Sequence, residues 1–383
     1  MQVIQPGQTA GVLGSGQLGR MFAMSAKQMG YRVHVLSPDH DSPAGQVADS
    51  EFVADDDNVE VITEFARSID VATIEFENVP VATMEAVAKY APVRPGPHVL
   101  QKIQNRIDEK TTLASSGFPV PSFQVIRTED DLVQAKSGTV PAVLKTAAAG
   151  YDGKGQRVIQ SHDDLADAWR ELGNTECVLE TFVDFACEFS VIVARDPSGN
   201  AVCYEPILNH HRNHILDVSL CPADIPSSAR NQAVEIVRGV ADTLGYVGVL
   251  CVEFFQLPTG DVLINEIAPR PHNSGHLTIE AHVTSQFEQQ VRAICGLPLG
   301  STDQVRPAAM ANLLGDCWES GEPNWASALG YTNTSLHLYG KQDPLPSRKM
   351  GHLTCIADTL EVAAENVRSA RDSLQEKPAD ANV

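Results

Sequence analysis

No stretch of this 383-residue chain keeps apolar residues together for the ~18 positions that suggest a membrane span. The first fourteen residues carry no basic segment ahead of an apolar one. A soluble, unexported, cytoplasmic protein is therefore expected. Positive charge is scarce: 28 Lys and Arg against 49 Asp and Glu leave a formal net charge of -21 at pH 7. A phosphate backbone needs a basic face, so nucleic acid is excluded as a partner, whereas small phosphorylated substrates need only a few local cations. The eight cysteines contain no Cys-x-x-Cys pair and stand mostly in apolar segments, which favours buried free thiols in a reducing compartment over disulfides or zinc. Internal repeats and low-complexity tracts are absent as well.

What is present has the organisation of an α/β protein of two or three domains. An apolar strand over 9–14, a glycine-rich turn, a helix and a second strand over 32–37 make a doubly wound unit. Helices near 58–69 and 81–89 and a strand over 71–76 extend it to a proline-rich stretch, giving an N-terminal parallel-sheet domain over 1–103. A central domain over 104–298 contains a compact lobe at about 120–182, with strands near 123–126, 142–145, 156–160 and 177–180, of a size typical of lids. A small β-rich domain with a terminal helix fills 299–383.

The most informative pattern is a pair of carboxylates. Glu253 lies in Val249-Leu-Cys-Val-Glu-Phe-Phe and Glu266 in Val262-Leu-Ile-Asn-Glu-Ile, two apolar runs joined by Pro258-Thr-Gly-Asp261. That is a β-hairpin pattern, and it aims two hard oxygen ligands at one place. An acid in a buried strand is costly unless something cationic meets it, so the pair, with Asn265 alongside, predicts a magnesium site facing nucleotide phosphates. The bland alternative is an edge hairpin with both acids in solvent.

Two glycine-rich turns carry further signals. Gly14-x-Gly16-x-x-Gly19 invites a dinucleotide reading, but Ser37 stands where an acid should close the second strand, so NAD is disfavoured. Binding of another phosphate by the amides of Gln17 and Leu18 is expected instead. Gly150-Tyr151-Asp152-Gly153-Lys154-Gly155-Gln156 lies between two strands and lacks the Ser or Thr and following helix of a nucleoside-triphosphate loop. It reads as a flap closing over phosphates, or as a plain hairpin turn. Lys145, among apolar neighbours, implies a buried ammonium whose natural partner is a phosphate.

Weaker signals follow. Glu180-Thr181-Phe182-Val183 is an extended stretch suited to an adenine edge, with Glu188 placed for ribose hydroxyls. Asn209-His-His-Arg-Asn-His214 looks like a zinc cluster but lacks a fourth ligand at fixed spacing, so nucleotide contact by His211 is preferred. Arg270, His272 and Asn273, in a proline-stiffened segment directly after Glu266, look like a substrate shelf. Lys341, Arg348 and Lys349 form a basic loop that is either surface charge or a phosphate clamp.

Together these segments resemble the ATP-grasp superfamily and, within it, the N5-carboxyaminoimidazole ribonucleotide synthetases. The motifs that carry the likeness are Gly14-Ser-Gly-Gln-Leu-Gly-Arg-Met21, Glu75-Phe-Glu-Asn78, Gly150 to Gln156, Asn265-Glu-Ile-Ala-Pro-Arg-Pro-His-Asn-Ser-Gly-His276 and Arg348-Lys-Met-Gly-His352. The resemblance implies ATP-driven carboxylation of 5-aminoimidazole ribonucleotide by bicarbonate through carboxyphosphate, in purine biosynthesis. It implies ATP held by Arg106, Lys145, the flap, Glu180 to Val183, Glu188, His211, Asn265 and Glu266, and magnesium, with manganese as a substitute, on Glu253 and Glu266. The ribonucleotide would lie against Gln17, Leu18, Glu75 and Asn78, with Lys341 and Arg348 on its phosphate. Arg270, His272 and Asn273 would position bicarbonate, Lys341 would join the catalytic set, and Asp152 would accept a proton. Relatives are homodimers. The alternatives are another ATP-grasp ligase, such as a formate-dependent glycinamide ribonucleotide transformylase or a biotin carboxylase, and a nonenzymatic nucleotide-binding protein. The chain departs from the pattern at Thr146-Ala-Ala-Ala149, His214 and Leu277, which puts the fine shape of the flap and histidine loop in question.

Overall fold

Three sheets organise residues 3–135, 140–148 and 154–375, the parts of the chain that the computed structural model describes. The first is parallel and built from β1 (Thr9–Leu13), β2 (Arg32–Ser37), β3 (Ser50–Val53) and β4 (Val71–Ile74) in the order β3-β2-β1-β4. Every residue of β1 is buried, as expected for a strand covered on both faces. Val12 packs with α1 (Gln17–Gln28), while Leu13 packs with α2 (Val59–Arg67) and α3 (Val81–Ala88). α4 (Pro97–Ile103) starts at a proline and leads into α5 (Arg106–Ser115), whose first turn is capped by the Asn105 side chain on the Ile107 amide at 2.8 Å.

The second sheet is the small lobe. β5 (Phe123–Ile126), β6 (Ala142–Thr146), β7 (Gln156–Ile159) and β8 (Cys177–Thr181) run antiparallel in the order β5-β8-β6-β7. One face is covered by α6 (Glu129–Gln134) and α7 (Leu165–Glu171), through Leu132, Leu165 and Trp169. On the other, Val178 and Ala147 meet Ile107 of α5, so this lobe touches the rest of the molecule at the start of that helix.

The third sheet has nine antiparallel strands: β9 (Cys187–Arg195), β10 (Ala201–Cys203), β11 (Ile207–Arg212), β12 (Ile215–Cys221), β13 (Gly248–Gln256), β14 (Val262–Ala268), β15 (Ala308–Leu314), β16 (Thr334–Leu338) and β17 (Lys349–Ile356). Its order is β14-β13-β9-β11-β12-β15-β17-β16, with β10 on the end of β9. The strands after residue 299 therefore continue the central sheet and do not form one of their own. α8 (Ser227–Thr243) covers one face through Ala233, Val237 and Val240. The short α9 (Thr278–Ala281) lies on the other, and α10 (Gln286–Cys295) packs Phe287 and Val291 against α1 of the first sheet. α12 (Leu360–Asp372) covers β15 and β17, and α11 (Trp325–Leu329) packs against α12 and β16.

The histidine run is a hairpin and not an irregular loop. β11 and β12 are joined by Asn213 and His214, both at positive φ (51° and 64°), the conformation that a two-residue turn between twisted antiparallel strands requires.

Candidate active site

The two carboxylates face each other. In the β13–β14 pairing Glu253 is opposite Glu266, and the register shifts between Glu253 and Phe254, with Asn265 as the extra residue. Val262, Ile264 and Ile267 all join the core beneath α8, so the odd step from 264 to 267 puts Asn265 and Glu266 together on the opposite face. Glu253 shares that face, because Cys251 on the same strand joins the core beneath α9. Both acids thus lie on one side of the sheet, Glu253 14% and Glu266 43% exposed in the side chain.

Cations hold the pair. His272 Nε2 lies 2.9 Å from Glu253 Oε1, and Arg106 Nη1 lies 3.5 Å from Glu266 Oε2. Burial works against ionisation of Glu253, yet His272 and then His211 and Lys349 hold its carboxyl down at about 2. His272 is fixed on its other side by Ser274 Oγ at 2.9 Å, and its backbone is gripped by the buried Gln286 amide at 2.9 and 2.7 Å. Among the described residues no group of three or more His, Cys, Asp or Glu side chains is placed to hold a metal. Magnesium does not need one: two carboxylates completed by phosphate oxygens and water are its ordinary set, and Glu253 and Glu266 fit that chemistry.

The shelf after β14 is tied to the first sheet. Arg270 donates to both carboxylate oxygens of Glu77, Nη2 to Oε1 at 3.0 Å and Nε to Oε2, and its Nη1 reaches Pro271 O at 3.2 Å. Burial opposes charge on Glu77, but Arg270 holds its carboxyl at about 2. The neighbouring Asn273 is buried, and neither atom of its amide has a hydrogen-bond partner among the described residues. A buried amide left bare is costly, so the position suits a polar ligand.

The residues assigned to the nucleotide are divided between the lobe with α5 and the nine-stranded sheet, which carries Glu188, His211, Asn265 and Glu266; on the lobe, Lys145 changes its reading. Its ammonium donates to Glu180 Oε2 at 2.8 Å, and Lys110, fully buried, lies 3.4 Å from Glu180 Oε1. The expected partner of Lys145 was a phosphate; in the structure a buried carboxylate already balances it. Burial opposes charge on Glu180, and Lys110 and Lys145 override it, holding the carboxyl at about 2. The Thr181 and Phe182 amides donate within the protein, to Ser122 O and Pro141 O at 2.9 Å each. Val183 continues that segment. Glu188 accepts from His211 Nδ1 at 2.5 Å across adjacent strands. In the flap, Gly155 sits at φ 71° and its carbonyl accepts from the Thr146 amide at 2.8 Å, with Gln156 opposite Lys145 and Lys154 exposed. Gly150, Tyr151, Asp152 and Gly153 lie outside the described residues.

The glycine turn of the first sheet holds an anion of the protein's own. Glu75 accepts from the amides of Gly16 at 2.7 Å and Gly19 at 3.1 Å, so it occupies the N-terminus of α1. A Cβ on Gly14 or Gly16 would come within 2.6 or 2.7 Å of Glu75, which accounts for both glycines. Gln17 turns its amide oxygen to Lys341 Nζ at 2.6 Å, Leu18 is buried and Asn78 exposed. Lys341 also donates to Lys349 O at 2.7 Å, which brings the C-terminal basic loop against the first sheet. Arg348 is exposed and donates to Asp343 O at 3.0 Å.

Sequence reasoning gave no role to Glu77, Glu109 and Lys110. Glu77 had a signal, since it follows Glu75 at strand-like i+2 spacing; Lys110 had one too, four residues after Arg106 on the same helix face.

The chain matches the ribonucleotide synthetase preATP-grasp domain over residues 7–104, the ATP-grasp domain over 111–287 and the phosphoribosylaminoimidazole carboxylase C-terminal domain over 308–366. The N5-carboxyaminoimidazole ribonucleotide synthase of Bacillus subtilis is 43% identical over 92% of this chain and 92% of its own length. The chain belongs to the N5-carboxyaminoimidazole ribonucleotide synthase family. Two solved members share its fold. The Staphylococcus aureus synthetase complexed with ADP superposes with a TM-score of 0.90 at 33% identity, covering 97% of this chain and 99% of that one. The Aspergillus clavatus synthase in complex with ADP and 5-aminoimidazole ribonucleotide gives 0.88 at 30% identity, over 97% and 99%. No helix among the described residues is long and apolar enough to cross a membrane.

Proposed function

We propose that this chain is a carbon–nitrogen ligase that uses ATP to join bicarbonate to the exocyclic amine of 5-aminoimidazole ribonucleotide, yielding N5-carboxyaminoimidazole ribonucleotide, ADP and phosphate in purine biosynthesis. The observation that carries the reading is the cross-strand pair Glu253 and Glu266 on one sheet face, with His272 of the shelf in contact with it. The relative solved with ADP and the ribonucleotide together supports the same substrate pair.

Bicarbonate is a poor electrophile. One of its oxygens attacks the γ-phosphorus, the bond to the β-phosphate oxygen breaks, and carboxyphosphate and ADP result. The amine then attacks the carboxyl carbon, directly or as released carbon dioxide, and phosphate leaves with the former carboxyl oxygen. Magnesium, or manganese in its place, would be held by Glu253 and Glu266 and would neutralise charge on the β- and γ-phosphates. Arg106, Lys145, Glu180 to Val183, Glu188, His211 and Asn265, with Gly150 to Gln156 by family resemblance, would contact the nucleotide. Arg270, His272 and Asn273 orient bicarbonate: the Glu77 grip fixes the guanidinium plane, and the bare amide of Asn273 offers a donor and an acceptor. Gln17, Leu18, Glu75 and Asn78 face the ribonucleotide, and Lys341 and Arg348 supply charge for its phosphate. Asp152 would take the amine proton, in a site from which water is excluded.

The family resemblance also supports a homodimer. The buried free thiols Cys177, Cys221, Cys251, Cys295 and Cys355 support a reducing, cytoplasmic setting. Phosphate release from ATP and bicarbonate tests the reading: it should be stimulated by 5-aminoimidazole ribonucleotide. Stimulation instead by formate with glycinamide ribonucleotide, or by biotin, would transfer the chain to another ATP-grasp activity.

A further inference from the structure

β14, which carries Glu266, is the outermost strand of the nine-stranded sheet. One of its edges pairs with β13; the other has no strand beside it among the described residues, and a bare row of amides and carbonyls there would be costly once buried. Side chains and backbone from a single segment, α5 and the turn after it, satisfy that edge. The Ile264 amide donates to Pro119 O at 2.8 Å. The Asn265 carbonyl accepts from Lys110 Nζ at 2.6 Å, and the Ile267 amide donates to Glu109 Oε1 at 2.7 Å. The last two bonds flank Glu266 on either side, at the point where the bulge has interrupted regular pairing with β13. Arg106, one turn earlier on the same helix, reaches the Glu266 carboxylate itself.

Lys110 and Glu109 are deeply buried, at 0% and 4% exposure, so neither is a casual surface contact. A fully buried ammonium is expensive unless its partners are fixed. Here they are the Asn265 carbonyl and Glu180, and Glu180 in turn binds Lys145 of β6, the strand that leads into the flap. An unbroken polar chain therefore runs from the lobe to the backbone beside Glu266.

We propose that Glu109 and Lys110 are positioning residues for Glu266: they stand in for the missing neighbour strand at the bulge, and through Glu180 they tie the orientation of that carboxylate to the position of the lobe. The inference rests on the reading of Glu253 and Glu266 as ligands of a divalent cation beside the nucleotide. Neither residue touches substrate in this account; each acts through the backbone of β14.

The test uses the full chain and two readouts other than turnover: Mn2+ binding in the presence of ADP, followed by electron paramagnetic resonance, and hydrogen exchange of the Ile267 amide without nucleotide. Glu109→Met keeps the side-chain bulk but removes the acceptor; Glu109→Gln keeps an acceptor. The expected results are quicker Ile267 exchange and Mn2+ affinity weakened by about 10-fold or more in Glu109→Met, the scale of losing a supporting hydrogen bond behind a metal ligand. Glu109→Gln should remain near wild type in both. Lys110→Met should weaken Mn2+ similarly and quicken exchange in β6 and β8. If that variant does not fold, Lys110→Met with Glu180→Gln removes both buried charges and should still bind Mn2+ weakly. Unchanged Mn2+ affinity and unchanged Ile267 exchange, with only a lowered melting temperature, would overturn the inference. If wild type itself bound no Mn2+ beside ADP, the metal reading would fall; Ile267 exchange would then decide the positioning claim alone, quickened exchange in Glu109→Met sustaining it and unmoved exchange ending it.

Discussion

Glu77 and Arg270 lie 193 residues apart in the chain and meet through both carboxylate oxygens, joining the loop after β4 to the shelf after β14. The pair turns two separately folded segments into one wall of the candidate active site. A planar guanidinium gripped at two atoms has one orientation, which a lysine at the same place would not reproduce. Glu77→Gln and Arg270→Lys should each reduce kcat for bicarbonate-dependent turnover by about 10-fold or more, as expected when a positioned transition-state contact is loosened. The KM for ATP should move little. Steady-state kinetics with each substrate varied would show it, and an equal rise in the KM for ATP would remove Arg270 from the bicarbonate side.

The carboxylate pair makes a stronger demand. Glu266→Gln should cost about 3 kcal/mol or more of transition-state stabilisation, the scale of losing a principal electrostatic contact. Chelation of divalent cations should silence wild-type turnover, with recovery on adding magnesium or manganese. Near-normal kcat/KM in Glu266→Gln would contradict the metal assignment.

The helix cap made by Glu75 predicts a coupling. Gly16→Ala places a Cβ 2.7 Å from Glu75 Oε1 and should destabilise the fold by about 1–2 kcal/mol through loss of the cap geometry. The same substitution in a Glu75→Ala background should cost much less, because the clashing group is gone. Urea melts of the four proteins in the cycle provide the check; strictly additive losses would mean that the carboxylate and the glycine are independent.

Acid should loosen the contact between the lobe and α5. Glu180 has a folded pKa of about 2 against an ordinary 4.5, so its contribution to stability is fully present above about pH 4.5. It is lost as pH falls from there toward 2, because protonation discards the attraction to Lys110 and Lys145. The urea midpoint should therefore drop between those pH values, and a Glu180→Gln variant, already lower at neutral pH, should show a shallower drop. Parallel curves for the two proteins would assign the acid sensitivity elsewhere.

The turn between β11 and β12 offers a gain. His214 is held at φ 64°, a conformation that costs a side chain about 1–2 kcal/mol, whereas glycine adopts it freely. His214→Gly should raise stability by about 0.5–1 kcal/mol after the entropy that glycine itself loses on folding. A thermal melt reads this directly.

Much of the scaffold could be read from local pattern. The apolar run of β1 and the alternation on either side of Pro258 are short-range signals, and the structure has those elements close to where they were expected. Short elements escaped: β3 is a half-exposed strand of four residues, and α4 begins at a proline that reads equally well as a break. The histidine hairpin was missed because its turn uses His214 where a glycine would have announced it.

The sequence by itself determined which residues carry charge into apolar segments, and so which ones need partners: Glu253, Glu266, Lys145 and the glycine turn before α1 were all conspicuous for that reason. Only the tertiary structure decided what those partners are. Burial makes an ion seek whatever opposite charge or amide the fold brings within about 3 Å, and that depends on contacts spanning the whole chain. Thus Lys145 met Glu180, the α1 N-terminus met Glu75, and the outer edge of β14 met Glu109 and Lys110, although nothing in the local pattern of any of these segments names the other.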